Sequence, residues 1–269
     1  MKEIKRYLES RLGEYSFFFE DLDCGYSYGF NENSIMTSAG CMKLPIAMAC
    51  LKECQCGTLS LEQKVAISPE DKVKGTGILH EFGEREYSIK ELMVAMLIQS
   101  DNTAANKIID MLSMEKINSA IKDIGLKNTS LNRKTMEEKL VKGVNENLTT
   151  AFDLSLCWKH LYRKSYLNRE NSEMLIDILK RQQLKNKISY YFPQELREHV
   201  ASKSGDLEGI ENDSMLLNAN RGNFTFTIMS KNLPTNIYGI VSLSKAGKMM
   251  IDIVNHDWNN DNNILTNEK

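Results

Sequence analysis

The sequence predicts a mixed α/β (α+β) fold: an antiparallel sheet assembled from both ends of the chain and packed with helices, with an all-helical lobe inserted between them. Three observations carry this expectation. Strand-like segments occupy residues 15–30, apolar residues recur at helical spacing through the middle of the chain, and strands joined by a tight turn return after Val200. A sheet drawn from both termini, with the intervening helices packed on it, buries one apolar face of every element. The expected organisation is one domain over 1–269, with an α/β lobe from 1–36 and 192–269, a helical lobe from 37–191, and a site where the lobes meet.

Taken in order, residues 2–12 are amphipathic and read as a helix. Segments 15–21 and 25–30 read as a hairpin that turns at Asp23-Cys24-Gly25. Leu44, Ala47, Met48 and Leu51 share one face of a helix over 41–54. The pattern recurs with Leu92, Val94, Met96 and Leu97 in 88–98, and with Ala105, Ile108, Ile109 and Leu112. Helices are expected again over 151–163 and 172–183, whereas 132–147 lacks a clean period and reads as a long functional loop. Lys203-Ser204-Gly205 opens a C-terminal strand, strands 214–218 and 224–229 follow around a turn at 220–223, and a helix over 243–255 closes the chain.

With 269 residues and 42% apolar side chains, the chain has ample material for a full core. A net charge of −2, from 34 basic and 36 acidic residues, provides no field to attract nucleic acid or an anionic membrane, so a small-molecule or peptide-like partner is expected. No apolar run reaches membrane-spanning length, and none of signal-peptide length precedes Tyr15, which makes the cytoplasm the expected location. The six cysteines are unevenly spaced and read as reduced thiols. Cys50, Cys54 and Cys56 are crowded, but no second Cys/His cluster accompanies them, so no metal is expected.

Three short segments carry chemistry: Lys43 on the first turn of the helix 41–54, Ser100-Asp101-Asn102 after the helix 88–98, and Lys203-Ser204-Gly205. Each alone is a common helix-start, capping or strand-edge sequence. In this order and spacing they resemble the Ser-x-x-Lys, Ser-Asp-Asn and Lys-Thr-Gly motifs of the class A β-lactamase-like serine hydrolases, within the β-lactamase and penicillin-binding protein superfamily. Lys43-Leu44-Pro45-Ile46, Gly75-Thr76-Gly77-Ile78-Leu79 and Asn147-Leu148-Thr149-Thr150 extend the resemblance over nearly the whole chain.

The resemblance implies an acyl-transfer site. A serine three residues before the lysine attacks an amide, the lysine takes or relays its proton, and two backbone N–H groups hold the oxyanion. Carried over, Lys43 is the proton acceptor, and Ser100 relays a proton to the leaving nitrogen. Asn102, Ser204 and Gly205 bind substrate, Lys203 supplies positive potential for a substrate carboxylate, and Asp206 offers an oxyanion N–H. No metal or organic cofactor is implied.

Two departures qualify this. Gly40 stands at the nucleophile position, so the side chain that would form an acyl-enzyme is missing. Cys41, at a helix N-terminus beside Lys43, is expected to have a lowered pKa but to point about 100° around the helix from Gly40, so it reads as a buried small residue ahead of a substitute nucleophile; Ser38 precedes the helix and could approach only if the turn bends unusually. In the loop, Glu137-Glu138-Lys139-Leu140-Val141 resembles the deacylating Glu-x-x-Leu-Asn pattern with valine for asparagine, which makes Glu137 the candidate base and Glu138 its alternative. Two functions follow: a β-lactamase-like serine hydrolase impaired by Gly40, or a pseudoenzyme that binds a β-lactam, peptide or other carboxylate-bearing ligand.

Overall fold

Strand β1, Glu14–Asp21, is buried along all but its first residue. Its consecutive phenylalanines explain this: Phe17 and Phe19 point into one apolar layer while Phe18 points into another on the opposite face. A strand buried on both faces belongs at the centre of a sheet. In the computed structural model, which describes residues 1–136, 146–256 and 258, β1 lies between β2, Ser27–Phe30, and β9, Gly222–Lys231. The sheet continues through β8, Ile210–Ala219, to β7, Val200–Leu207, in the order β2-β1-β9-β8-β7 with antiparallel neighbours throughout. The register pairs Phe17 with Phe30 and Phe18 with Thr227, joining the two ends of the chain as the sequence pattern requires.

One face of the sheet is covered by helix α1, Lys2–Glu9, and by the C-terminal helix, which we call α9, Asn236–His256. Between them in sequence lie α2 (Lys43–Gln55), α3 (Ile89–Ile98), α4 (Asn102–Leu112), α5 (Met114–Ile124), α6 (Ala151–Arg163), α7 (Arg169–Lys180) and the one-turn α8 (Gln194–Arg197). Helices α2 to α7 share a second apolar core with Ala201 and Leu216 of the sheet. Helix α6 is fastened to the sheet by polar contacts as well: buried Trp158 donates to Ser214 Oγ at 2.6 Å, and Ser155 pairs with Thr227 at 2.8 Å. Two small ladders complete the chain, β3 (Met36–Thr37) with β6 (Leu148–Thr149) and β4 (Lys64–Ile67) with β5 (Arg85–Ser88).

The differences from the sequence expectation have local causes. Helix α1 ends at Glu9 rather than 12, because Ser10 Oγ turns back onto the Tyr7 carbonyl at 2.7 Å and Gly13 takes φ 103°. Helix α7 starts three residues early, because Asn168 caps it by accepting from Asn171 N at 2.9 Å. Helix α5 was absent from the expectation, although Ile117, Ile121 and Ile124 carry a helical period and Ser113 caps it. Helix α9 begins at Asn236 rather than 243, running through Gly239, where a Cβ would stand 2.8 Å from Glu211 Cγ. That glycine permits a close helix–sheet approach. Lys203-Ser204-Gly205 lies within β7, which begins at Val200, rather than opening it.

Candidate active site

A 3-10 turn, Ala39–Met42, leads directly into α2, which places Gly40 one turn before Lys43. Two non-glycine residues near this point take left-handed backbone angles, Ala39 at φ 46° and Ser100 at φ 55°. Each such residue costs about 1 to 3 kcal/mol and persists only where its surroundings over-determine it. At Ser100 the surroundings are visible: its carbonyl accepts from Lys43 Nζ at 2.5 Å and from Thr76 Oγ1 at 2.8 Å. Next to it, buried Asp101 caps α4 through Ala104 N at 2.9 Å and also receives Ile78 N at 2.7 Å and Leu79 N at 2.8 Å. A side chain at Gly77 would collide with that carboxylate, so the loop 75–79 is shaped around Asp101.

The motif residues converge. Lys43 Nζ contacts Ser100 Oγ at 3.0 Å and Asn102 Oδ1 at 2.8 Å, while Lys203 Nζ reaches the same Ser100 Oγ at 3.2 Å and Ser204 O at 2.8 Å. Strand β7 is the edge of the sheet, and its Ser202 and Ser204 carbonyls leave the sheet toward Gln182 and Lys203. By the two-residue alternation of strand backbone groups, the Asp206 N–H leaves on that same edge, toward Gly40.

Gly40, Lys43, Ser100, Asn102, Gly205 and Asp206 line one cleft of about 430 Å³, together with Thr76, Thr135 and Asn236. Lys203 and Ser204 do not line it. Their side chains are 0% and 2% exposed, and Lys203 acts on the cleft from behind Ser100. Glu137 and Glu138 lie outside the described residues. The ends of their loop are held by a bidentate pair, Arg133 Nη2 with Glu146 at 2.9 and 3.1 Å, and by Asn147, which accepts from Asn132 N and Arg133 N.

Burial sets the electrostatics. Desolvation first, then the neighbouring Lys203 charge, hold the Lys43 ammonium well below the usual lysine range. Desolvation pulls Lys203 down to about 8; Cys41, Asp213 and Asp206 oppose that shift and Lys187 adds to it. Asp213, fully buried on β8, is pushed up to about 6 by desolvation.

Cys41 is buried as expected, but the expected lowering of its pKa is overturned. Its thiol is buried against the Lys203 carbonyl at 3.3 Å, and desolvation pushes it up to about 12 in spite of Lys203 and Lys187. The helix start cannot offset the loss of water around a thiolate. Ser38 is equally occupied, with its Oγ 3.0 Å from the Asn147 carbonyl, and neither residue lines the cleft. An alkylating reagent is therefore expected to label exposed Cys24 and Cys56 in the folded protein and to reach Cys41, Cys50 and Cys157 only after unfolding. Peptide mapping before and after denaturant checks this, and rapid labelling of Cys41 in the folded chain would contradict it.

Some supporting residues escaped the sequence reading. Asn106 clamps Thr135 through its N at 2.8 Å and its O at 3.1 Å, and its place four residues after Asn102 on α4 was the available signal. Lys187 gave no such signal, since it lies in irregular chain between α7 and α8. It is buried beneath β7, donating to Gly205 O at 3.1 Å and pairing with Glu211 Oε2 at 2.5 Å. Among the described residues, no group of three or more His, Cys, Asp or Glu could hold a metal ion, and no helix is long and apolar enough to cross a membrane.

Comparison with known proteins gives a consistent picture. A family model described as the beta-lactamase enzyme family matches residues 1–254. Among solved structures, the fold is similar to that of the beta-lactamase from Sphaerobacter thermophilus DSM 20745, with a TM-score of 0.88 at 22% identity over 94% of this chain and 97% of the other. It is similar to a mutant of PBP-A in an acyl-enzyme complex with penicillin G, with a TM-score of 0.87 at 22% identity over 94% and 95%. A class A beta-lactamase from Mycobacterium abscessus gives 0.85 at 20% identity over 94% and 98%.

Proposed function

Because this chain belongs to the beta-lactamase enzyme family, we propose that its cleft is a β-lactamase-like acyl-transfer site for a β-lactam or peptide-like amide bearing a carboxylate, in which no acyl-enzyme forms at position 40. The observation that supports this is the shared network at Ser100 Oγ, 3.0 Å from Lys43 Nζ, 3.2 Å from Lys203 Nζ, and 3.2 Å from the point a Cβ on Gly40 would occupy. Buried amines cost desolvation energy, and their convergence on one hydroxyl beside a cleft serves chemistry or ligand charge better than it serves folding. In this reading the backbone N–H groups of Gly40 and Asp206 polarise the ligand carbonyl, Asn102 meets its amide, and Lys203 supplies positive potential through Ser100. Penicillin, held covalently by PBP-A, is the natural first probe.

A second reading, binding without chemistry, draws support from the fit around Gly40. A Cβ there would lie 2.8 Å from the Ser204 carbonyl and 3.2 Å from Gly205 Cα, both backbone, so the β7 edge sits closer to this turn than a serine allows. The site is shaped to glycine.

Gly40→Ser tests the main reading. After incubation with benzylpenicillin, the variant is expected to gain the mass of one penicillin, mapped to position 40, with a modestly lowered melting temperature from displacing β7. Absence of both adduct and measurable binding in variant and parent would remove the amide-site reading.

A further inference from the structure

We infer that Ser100 is a displaced nucleophile: its Oγ, paired with Lys43, attacks the carbonyl of a bound amide or ester, so that the chain remains an acyl-transfer enzyme without a side chain at position 40. The inference rests on the reading of the cleft as an amide site. Four features of the molecule support it.

First, the hydroxyl is placed. Ser100 lines the cleft with Gly40 and Asp206, and its Oγ lies 3.2 Å from where a Cβ of residue 40 would stand, so it is the hydroxyl beside the vacant nucleophile position. Second, Lys43 is arranged as a base. Two of its Nζ contacts, Ser100 O at 2.5 Å and Asn102 Oδ1 at 2.8 Å, are to pure acceptors and use the two N–H bonds of an uncharged amine. Its lone pair is then left for the third contact, the Ser100 hydroxyl proton, at 3.0 Å. Burial of Lys43 and the charge on Lys203 favour that uncharged form.

Third, Lys203 donates to the same oxygen at 3.2 Å, where it stabilises the negative charge that develops as the proton leaves. Fourth, the serine is held rigidly: its φ of 55° is fixed by the two hydrogen bonds to its carbonyl, which aims the side chain between the lysines. The alternative nucleophiles nearby are occupied, Cys41 by burial and Ser38 by Asn147.

The steps balance. The Ser100 proton passes to Lys43 Nζ as Oγ bonds to the carbonyl carbon. The C–N bond of an amide, or the C–O bond of an ester, then breaks, and Lys43 returns the proton to the leaving atom. Water gives a proton to Lys43 and attacks the acyl-Ser100 ester, and that proton passes to Ser100 Oγ as the acid departs.

The test uses the full chain with benzylpenicillin and with 4-nitrophenyl acetate, combining calorimetric binding, intact mass, peptide mapping and release of nitrophenolate. The expected result is one adduct on Ser100, at least 100-fold slower ester hydrolysis in Ser100→Gly, which also relieves the left-handed backbone, and a retained adduct in Ser100→Cys. If Ser100→Gly does not fold, the mapped position on the unaltered chain decides alone. Penicillin bound without an adduct on Ser100, or adducts confined to exposed Cys24 or Cys56, overturns the inference and leaves the amide site standing. Neither binding nor adduct with both probes overturns the amide site and this inference together.

Discussion

Asp101→Ala is expected to lower the unfolding free energy by about 3 to 5 kcal/mol, because it removes a helix cap and orphans buried N–H groups at once. The carboxylate is fully buried, yet each oxygen is used: one accepts from Ala104 N at the start of α4, the other from Ile78 N and Leu79 N in the loop that borders the cleft. Alanine removes the acceptor from all three amides, two of them on buried Leu79 and Ala104, and the loss spreads to Ser100 and Asn102 on either side. Urea unfolding checks the figure, and Asp101→Asn, which keeps one acceptor oxygen, is expected to fall between parent and alanine. A loss under about 1 kcal/mol would mean that the loop 75–79 finds other partners and that Asp101 does not organise the cleft.

Gly205→Ala is expected to weaken penicillin binding at least 100-fold. A Cβ there would overlap Gly40 N and stand 2.7 Å from Cys41 N and 3.0 Å from Gly40 Cα, all of them backbone atoms with little freedom to withdraw. The strand must therefore part from the turn, separating the Gly40 and Asp206 N–H groups that are proposed to hold the ligand carbonyl. Lys187 resists the movement, because its ammonium ties Gly205 O from below. Overpacking of this kind also destabilises by roughly 1 to 3 kcal/mol. Gly83→Ala, where a Cβ meets nothing within 4 Å, is the matched control and should change neither binding nor stability appreciably. Equal binding by Gly205→Ala and the parent would show that the β7 edge takes no part in the site.

Much of this was legible before the fold was known, and the reason is periodicity. The run 15–21 reads as a strand and β1 occupies it, and helix α6 occupies the span that its leucines and Trp158 mark out. Lys43, Ser100, Asn102 and Lys203 were legible as a set because their residue types and order match a known pattern. Signals tied to non-local contacts were misread. The first turns of α9 were missed, because Gly239 serves to let that helix approach Glu211 across the fold, a contact that sequence does not display. Cys41 beside Lys43 suggested a lowered pKa, because helix position is visible in sequence, whereas the Lys203 carbonyl that its buried thiol meets is not.

The sequence by itself determined the fold class, the origin of the sheet in both termini, the motif residues and the absence of a side chain at position 40. Only the tertiary structure decided what those residues become: that two lysines 160 positions apart share the Ser100 hydroxyl, that Lys203 works from beneath the cleft, and that β7 closes on Gly40. The physical reason is that residue type and period are properties of the chain, whereas desolvation and hydrogen-bond geometry depend on what is packed alongside.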